Sequence, residues 1–355
     1  MTNQTGSATI SISDRRTNFQ ISVLLEDENN MPGFTTHYIF GMKAYNDMPF
    51  TPLKHTIAKY RWLYQLGLQG PDMFFYNIPI LRHRDYRNVG SYMHEHKVNA
   101  FFECCLRRIG TIRSRQQQEE AISYLAGFIN HYIADSICHP YVYGRIGYPV
   151  DAPTSMHHGM HAHLENELDA ILLWKYKKKK PSEFNQTATI CLNGQEIQFI
   201  SHFLASCINE TYYPITYRNN FQVTPAMVHR SIWALRFGCR TLSDKNGKKK
   251  FGIAQVESIF VNHPVASAKM VTDSVTDYRS SCNLNHEAWG NPWDPTRVST
   301  ASFVDLFHET LDKCSRVYAL LNSAVTDNMP LDKQDLSPLL AELGNESYHS
   351  GLPVE

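Results

Sequence analysis

The stretch His131-Tyr-Ile-Ala-Asp135-Ser-Ile-Cys-His139 decides how this chain is interpreted. It ends a segment, 118–138, whose apolar residues follow the three- and four-residue spacing of an amphipathic helix. His131, Asp135 and His139 are four residues apart, so they share one helix face, and Pro140 predicts that the helix stops there. Imidazole and carboxylate at this spacing suit one divalent cation, most readily Zn²⁺. Solvated histidines and a capping carboxylate would give the same pattern.

The composition describes a globular chain without a global charge bias. Its 355 residues are 43% hydrophobic and 12% aromatic, enough for a sizeable core in one large domain or two. Lys+Arg and Asp+Glu balance at 34 each, so no overall field indicates nucleic acid or an anionic membrane as the partner. The eight cysteines form no C-x-x-C pair, which favours a reducing compartment. Because no run resembles a signal peptide or a membrane span, we expect a soluble cytoplasmic protein.

Polar segments bound the predicted helical domain on both sides. We expect residues 1–30 to form an N-terminal extension and residues 31–326 to form the organised domain. Residues 327–355 are predicted to be a polar, frayed tail. Inside the domain, Thr36 is a candidate N-cap for a helix over 37–45, and a second helix is predicted over 53–66.

A third predicted helix, 92–108, contains two histidines on different faces. His94 lies on the side of the apolar stripe, whereas His96 falls on the polar side. If one of the two binds metal, it should be His94.

The histidine-dense segment 156–168 opens a further helix that continues to residue 173. His161 and Glu165 are four residues apart and flank its apolar stripe. His163 and Glu167 have the same spacing but lie on the polar side. We therefore choose His161 and Glu165 as the candidate ligands.

One segment predicts β structure in this helical chain. Residues 187–192 and 195–200 flank Asn193-Gly194, a pair typical of a type I′ turn, which predicts a β-hairpin. Two later helices are predicted from Thr224-Pro225 to about residue 242 and over 302–325. The sequence therefore predicts an all-α, multi-helix bundle with a small β-hairpin insertion.

Several short motifs occur in an informative order. They are Met31-Pro-Gly-Phe-Thr-Thr-His37-Tyr-Ile-Phe-Gly41, Gly70-Pro71-Asp72, His94, His131-x₃-Asp135, His139, His161-x₃-Glu165, and Asn283-Leu-Asn-His286-Glu-Ala-Trp289 with Asn291-Pro-Trp293. Over residues 31–325, this order resembles the bacterial zinc-dependent phospholipase C family. The resemblance implies a helical bundle with a trinuclear zinc site in a cleft, a fold shared with single-strand-specific nucleases of the P1 type.

The resemblance also implies which side chains hold the metal ions. The first ion would have four ligands: Asp72, His94, His131 and Asp135. The second would have three: His139, His161 and Glu165. Asp135 would bridge to a third ion that His37 also binds. In secreted relatives the mature N-terminal residue completes that third site, whereas 36 residues precede His37 here. The implied cofactor is therefore two or three zinc ions.

The implied chemistry is hydrolysis of a phosphodiester. Three divalent ions would exceed the charge of three carboxylates, because histidines ligate as neutral imidazoles, and the surplus would attract a phosphate group. Zinc can lower the pKa of bound water to about 7, so metal-bound hydroxide would attack at neutral pH. Asp72 is the candidate catalytic residue that orients or deprotonates this water. We expect a phospholipase C-like phosphoric diester hydrolase.

Two alternatives stay open at this point. One is a nuclease or a hydrolase of soluble phosphodiesters on the same metal frame, with nucleic acid only as a substrate. Without a secretion signal the protein would not easily meet extracellular lipid, which weakens the phospholipase assignment. The other is a non-catalytic protein that keeps the ligands for metal-stabilised folding. These motifs indicate neither the headgroup preference nor the oligomeric state.

Overall fold

A computed structural model describes residues 33–76, 88–216, 221–244, 247–260, 267, 270–273, 275 and 277–355. The extension predicted at residues 1–30 lies outside these ranges. No helix within them is long and apolar enough to cross a membrane.

The described part of the chain is all-α, as predicted, apart from one two-stranded sheet. Its helices are α1 Phe34–Asp47, α2 Pro52–Lys59, α3 Arg61–Gly67, α4 Val89–Glu95, α5 Val98–Thr111, α6 Arg115–Arg145, α7 Ser155–Lys177, α8 Gly194–Tyr212, α9 Pro225–Leu242, α10 Lys248–Phe260, α11 Tyr278–Ser281, α12 Phe303–Thr326 and α13 Ser337–Leu343. Short 3₁₀ turns cover Gly70–Tyr76, Pro181–Glu183 and Gln186–Thr189. The strands β1 Trp289–Asn291 and β2 Asp294–Ser299 are antiparallel, with Trp289 opposite Ser299.

The long helix α6 runs through the centre of the molecule. Its middle is buried on all sides, and α1, α2, α3, α5 and α12 pack around it. It approaches α3 closely because Gly67 and Gly127 face each other. A Cβ atom on either glycine would lie 2.1 Å from a backbone oxygen of the opposite helix. This contact fixes the turn that follows α3, and that turn carries Asp72.

The predicted stop of this helix at Pro140 is wrong, since α6 continues to Arg145. Proline cannot donate the backbone hydrogen bond to the Ser136 carbonyl. Residues beyond it are nevertheless held in place by the rest of the fold. The Tyr141 hydroxyl donates to the Ser281 carbonyl at 2.8 Å, and its buried ring lies 5.4 Å from that of Trp289. Tertiary packing therefore overrides the local stop signal.

The β-hairpin predicted over residues 187–200 is also wrong. The Asn193 side chain accepts hydrogen bonds from the backbone of Gln195 and Glu196, both at 2.9 Å, and Glu196 accepts one from Asn193 N–H at 2.8 Å. This reciprocal cap starts α8, so Asn193-Gly194 begins a helix instead of a turn. Ile200, Leu204 and Ile208 are buried at helical spacing. The sheet in the described part of the chain is formed instead by β1 and β2.

Several predicted helix boundaries change in the structure. The helices expected over 53–66 and 92–108 are each divided in two, at Tyr60 and at the left-handed Lys97 (φ 48°). Helix α1 begins at Phe34, so Thr36 is not its N-cap. The starts of α9 and α12 are confirmed, because Thr224 and Ser302 cap them as predicted.

The prediction of a frayed C-terminal tail is wrong. Residues 345–355, called here the C-terminal segment, pack against the helical body after α13. Tyr348 is 1% exposed, and its N–H donates to the His94 carbonyl at 2.9 Å. The Asn291 side chain donates to the Ser350 carbonyl at 2.7 Å, and Lys97 N–H donates to the Glu355 carbonyl at 3.0 Å. These long-range bonds fix a stretch whose own sequence is polar and without a helical period.

Candidate metal centre

Four elements bring the first group of candidate ligands together. This group consists of His37 from α1, Asp72 from the turn after α3, His94 from α4, and His131 and Asp135 from α6. Ligand atoms of all but His94 lie within 4.8 Å of one another. His94 Nε2 lies 3.1 Å from Asp72 Oδ1 and 3.9 Å from Asp135 Oδ2.

The second group lies beside the first and comes from two helices. It consists of His139 from α6 and His161 and Glu165 from α7. Glu165 Oε1 lies 3.2 Å from His139 Nε2 and 2.9 Å from His161 Nε2. Asp135 Oδ1 is 3.7 Å from His139 Nε2, so Asp135 borders both groups. All eight predicted ligands are thus gathered in one region, and none is more than 7% exposed.

Backbone carbonyls orient three of the histidines. The Nδ1 atoms of His94, His131 and His139 bond the carbonyl oxygens of Gly90 (2.7 Å), Leu68 (3.2 Å) and Tyr348 (2.9 Å). If each Nδ1 carries the proton, each Nε2 keeps a free lone pair. Each Nε2 faces the carboxylates, which is how proteins commonly prepare histidine for a metal ion.

Gly70 allows the turn that carries Asp72 to lie against α6. Its φ of +45° is in the left-handed region, which favours glycine. A Cβ atom there would lie 2.1 Å from His131 Cδ2. Backbone conformation and close approach therefore both require glycine at this position.

Asp169 joins α1 to α7 and so aligns His37 with the second group. Its carboxylate accepts hydrogen bonds from the backbone N–H groups of Thr35 (3.1 Å) and Thr36 (2.7 Å) at the start of α1. Burial raises the pKa of Asp169 to about 6, while these hydrogen bonds favour its charged form. A buried carboxylate from another helix thus replaces the predicted local cap.

The two groups contain buried polar atoms that lack hydrogen-bond partners among the described residues. They are both Asp72 oxygens, Asp135 Oδ2, Glu165 Oε2 and the ring nitrogens His37 Nδ1, His131 Nε2 and His161 Nδ1. His131 Nε2 lies 3.0 Å from Asp135 Oδ2 and 3.5 Å from Asp72 Oδ2, yet no aligned hydrogen bond forms. Buried carboxylates without donors are costly, and a cation would satisfy them. The nitrogen and oxygen donors fit zinc.

The pKa shifts show how strongly these charges are coupled. Burial disfavours the charged form of His37, but the Asp135 carboxylate outweighs burial and raises its pKa. Burial also disfavours the charged form of His139, but the carboxylates of Asp135 and Glu165 outweigh burial and raise its pKa to about 9. Burial alone would raise the carboxyl pKa values. The neighbouring histidines instead hold the pKa of Asp135 well below its usual range and lower that of Glu165. The site therefore favours ionised carboxylates with positive charge beside them.

The histidines assigned to polar faces lie outside both groups. His96 is half-buried and stacks on Tyr92, and the side chain of His163 is 48% exposed. The expectation that Glu167 faces solvent is wrong. It is buried and accepts a hydrogen bond from the Ser281 hydroxyl, because α11 packs against α7.

Three residues around the site were missed by the sequence analysis. Tyr348 and His349 come from the C-terminal segment, with rings 4.8 and 4.9 Å from that of His94. Tyr143 lies 4.5 Å from His161. Burial and the nearby histidines hold the pKa of His349 well below its usual range. For Tyr348 and His349, the only sequence signal was that an aromatic residue and a histidine are adjacent in a polar stretch. That pair lacks the spacing that would indicate metal ligands.

Comparison with known families agrees with this arrangement. A family described as zinc dependent phospholipase C matches residues 36–216, just over half of the chain, and all eight predicted ligands lie within that range. Comparisons with curated proteins and with solved structures gave no match. The match ends before the distal motif at 283–293, so that part of the resemblance stays a prediction. Family and site together support a zinc-dependent hydrolase. The chain belongs to the zinc-dependent phospholipase C family.

Proposed function

We propose that the protein hydrolyses phosphodiesters with zinc, and that phospholipids are its first substrate class. The observation that carries this proposal is the position of Asp135 between the two groups. Its Oδ1 atom lies 3.2 Å from His37 Nε2 and 3.7 Å from His139 Nε2, while Oδ2 lies 3.0 Å from His131 Nε2. Ligand groups this close suit a polynuclear centre that acts on one phosphoryl group.

The assignment of ligands follows the two groups. Asp72, His94, His131 and Asp135 would hold one ion, and His139, His161 and Glu165 another. His37 and Asp135 would contribute to a third. Bound divalent ions would lower the pKa of a coordinated water and neutralise charge on the phosphoryl oxygens.

Asp72 is the proposed catalytic residue as well as a ligand. One of its oxygens faces His94 and the other faces His131, and neither receives a hydrogen bond from a described residue. An oxygen not used for ligation could orient the attacking water or accept its proton. The 2% exposure of Asp72 keeps bulk water away from this proton transfer.

The exposed residues on the outer face of α9 support the proposal that the substrate is a phospholipid surface. Trp233 and Phe237 are 64% and 54% exposed, and their rings stack at 5.4 Å. Arg230 and Arg240 are exposed on the same helix face, and residues 225–243 contain no Asp or Glu. Aromatic rings with arginines suit the interface of a phospholipid bilayer. The same helix packs on the turn that carries Asp72, where Gly238 meets the Tyr76 ring.

A substrate panel tests the proposed function. Zinc-loaded protein is incubated with phosphatidylcholine vesicles, vesicles containing phosphatidylglycerol, single-stranded DNA and bis(4-nitrophenyl) phosphate. We expect two or three zinc ions per chain and release of phosphorylated headgroup from vesicles. Hydrolysis of DNA alone would favour the nuclease alternative, and zinc binding without turnover of any substrate would favour a metal-stabilised scaffold.

The lipid-facing role of α9 has its own measurement. We expect the double substitution Trp233→Ala with Phe237→Ala to lower vesicle binding and vesicle hydrolysis more than hydrolysis of the soluble phosphodiester. Phe50→Ala is the matched control, because Phe50 is fully exposed but lies on another surface, before α2. Equal vesicle binding by the double variant and the control would argue against this face as the lipid contact.

A further inference from the structure

We infer that His349 binds a phosphoryl oxygen of the substrate. This residue lies outside residues 36–216, the range that the family matches. The inference rests on the proposed function and extends it to a substrate contact. The His349 ring lies beside both groups of candidate ligands. Its centroid lies 4.9 Å from that of His94 in the first group and 5.9 Å from that of His139 in the second.

The backbone around His349 is held on both sides. Before it, Tyr348 N–H donates to the His94 carbonyl, and the Tyr348 carbonyl accepts the bond from His139 Nδ1. His349 N–H itself donates to Ser347 Oγ at 3.1 Å. After it, the Ser350 carbonyl accepts from the Asn291 side chain. Because these bonds join the C-terminal segment to both groups, the ring of His349 is pre-organised beside them.

His349 differs from the eight ligands in what its ring contacts. Its nitrogen atoms belong to neither group of converging ligand atoms. Its ring nitrogens form no hydrogen bond with any described residue. His349 is also half-buried, whereas each of the eight ligands is buried. A neutral imidazole always carries one N–H donor. His349 therefore presents an available donor on the more exposed side of the centre.

A phosphoryl group is the ligand that suits this position. A phosphoryl group bound between the two groups of ligands would lie near the rings of His94 and His139. The His349 ring contacts both of these rings. Phosphoryl oxygens are strong acceptors, and a hydrogen bond to a charged group contributes more than one between neutral groups. The Tyr143 ring borders this region, 5.8 Å from the ring of His349 and 4.5 Å from that of His161.

The test compares His349→Ala, His349→Gln and the control His163→Ala, which alters an exposed histidine on α7. Inorganic phosphate is titrated calorimetrically into each zinc-loaded protein, and zinc content and Tm are measured in parallel. We expect His349→Ala to bind phosphate about 10-fold to 100-fold more weakly, with zinc content unchanged. His349→Gln should recover part of the affinity because its amide can donate. The control should match the wild type.

Three results would overturn the inference. One is equal phosphate affinity in His349→Ala and wild type, and another is no phosphate binding by the zinc-loaded wild type. The third is loss of zinc in His349→Ala, which would make His349 a ligand. The failure of the proposed function is separate, because it would appear as no turnover of any phosphodiester by the wild type. Wild-type turnover with equal phosphate affinity in His349→Ala would reject only this inference.

Discussion

The two groups of candidate ligands share Asp135 but are built differently. The first takes side chains from α1, the turn after α3, α4 and α6, and its oriented histidines bond carbonyls of Gly90 and Leu68 within the helical core. The second comes from α6 and α7 alone, and His139 bonds the carbonyl of Tyr348, which is 209 residues away. The carbonyls that orient the first group's histidines thus come from the helical core, whereas the carbonyl that orients His139 comes from the C-terminal segment. That segment also touches the first group, through the backbone bond from Tyr348 to His94.

The largest loss of zinc and activity is expected when the residue that both groups share is replaced. Asp135→Ala should reduce zinc content in both groups, because its two oxygens face His37, His131 and His139. We expect activity to fall by more than the ~100-fold that a weaker, indirect contact to a metal ligand can cost. Zinc per chain and phosphodiester turnover are measured with His163→Ala as control. Equal zinc content in Asp135→Ala and wild type would contradict the metal assignment.

The next effect should be confined to the first group. Gly70→Ala would place a methyl group against His131, so we expect loss of zinc from the first group and a lower Tm. Gly147→Ala is a matched control. Gly147 also has a positive φ, of 62°, but its Cβ would meet nothing within 4 Å. Both variants carry the cost of about 1 kcal/mol for the backbone conformation. If both lose zinc equally, contact with His131 is not the cause.

Zinc binding at the second group should depend on pH. The pKa of His139 is raised to about 9, above its ordinary value of 6.5, so metal-free protein favours the imidazolium between these values. Zinc must displace that proton, and its affinity should therefore rise with pH by up to about tenfold per unit below pH 9. Zinc titrations at pH 6.5, 7.5 and 8.5 check this. An affinity at the second group that falls or stays constant with rising pH would contradict it.

The smallest effect should come from loosening the C-terminal segment. Asn291→Ala removes the hydrogen bond to the Ser350 carbonyl, near the carbonyl that orients His139. We expect zinc affinity of the second group to fall by less than about tenfold, and that of the first group to fall less, because its histidines are oriented by core carbonyls. Asn285→Ala is the control, because Asn285 is exposed in the same region. A larger loss from the first group than from the second would reverse the proposed difference between them.

Much of the site could be predicted because ligands on one helix have a local signature. The spacing of His131, Asp135 and His139 puts them on one face of α6, and the apolar stripe distinguished His94 from His96. The structure brings all eight predicted residues together and buries them. Their metal-binding and catalytic roles stay proposals that the zinc measurements test.

Other predictions failed where two local interpretations compete. Asn193-Gly194 suits a hairpin turn and a helix cap equally well, and the cap forms because Glu196 completes it. Pro140 lies inside α6 because Tyr141 and Tyr143 are buried beyond it. Residues distant in sequence decide the second case, so no local pattern could have revealed it.

Helical spacing and apolar stripes are properties of neighbouring residues, so they predict the helical class, the centre of α6 and the candidate ligands that lie on α4, α6 and α7. His37 and Asp72 were candidates only through the resemblance to the phospholipase C family. Three contacts depend on how the whole chain folds: Asp169 caps α1, Tyr348 orients His139, and His349 lies beside both groups. Those contacts join parts of the chain more than a hundred residues apart. They exist because burying Tyr348 against the helical body, with its backbone hydrogen-bonded to His94 and His139, stabilises a polar segment that has no preferred structure of its own.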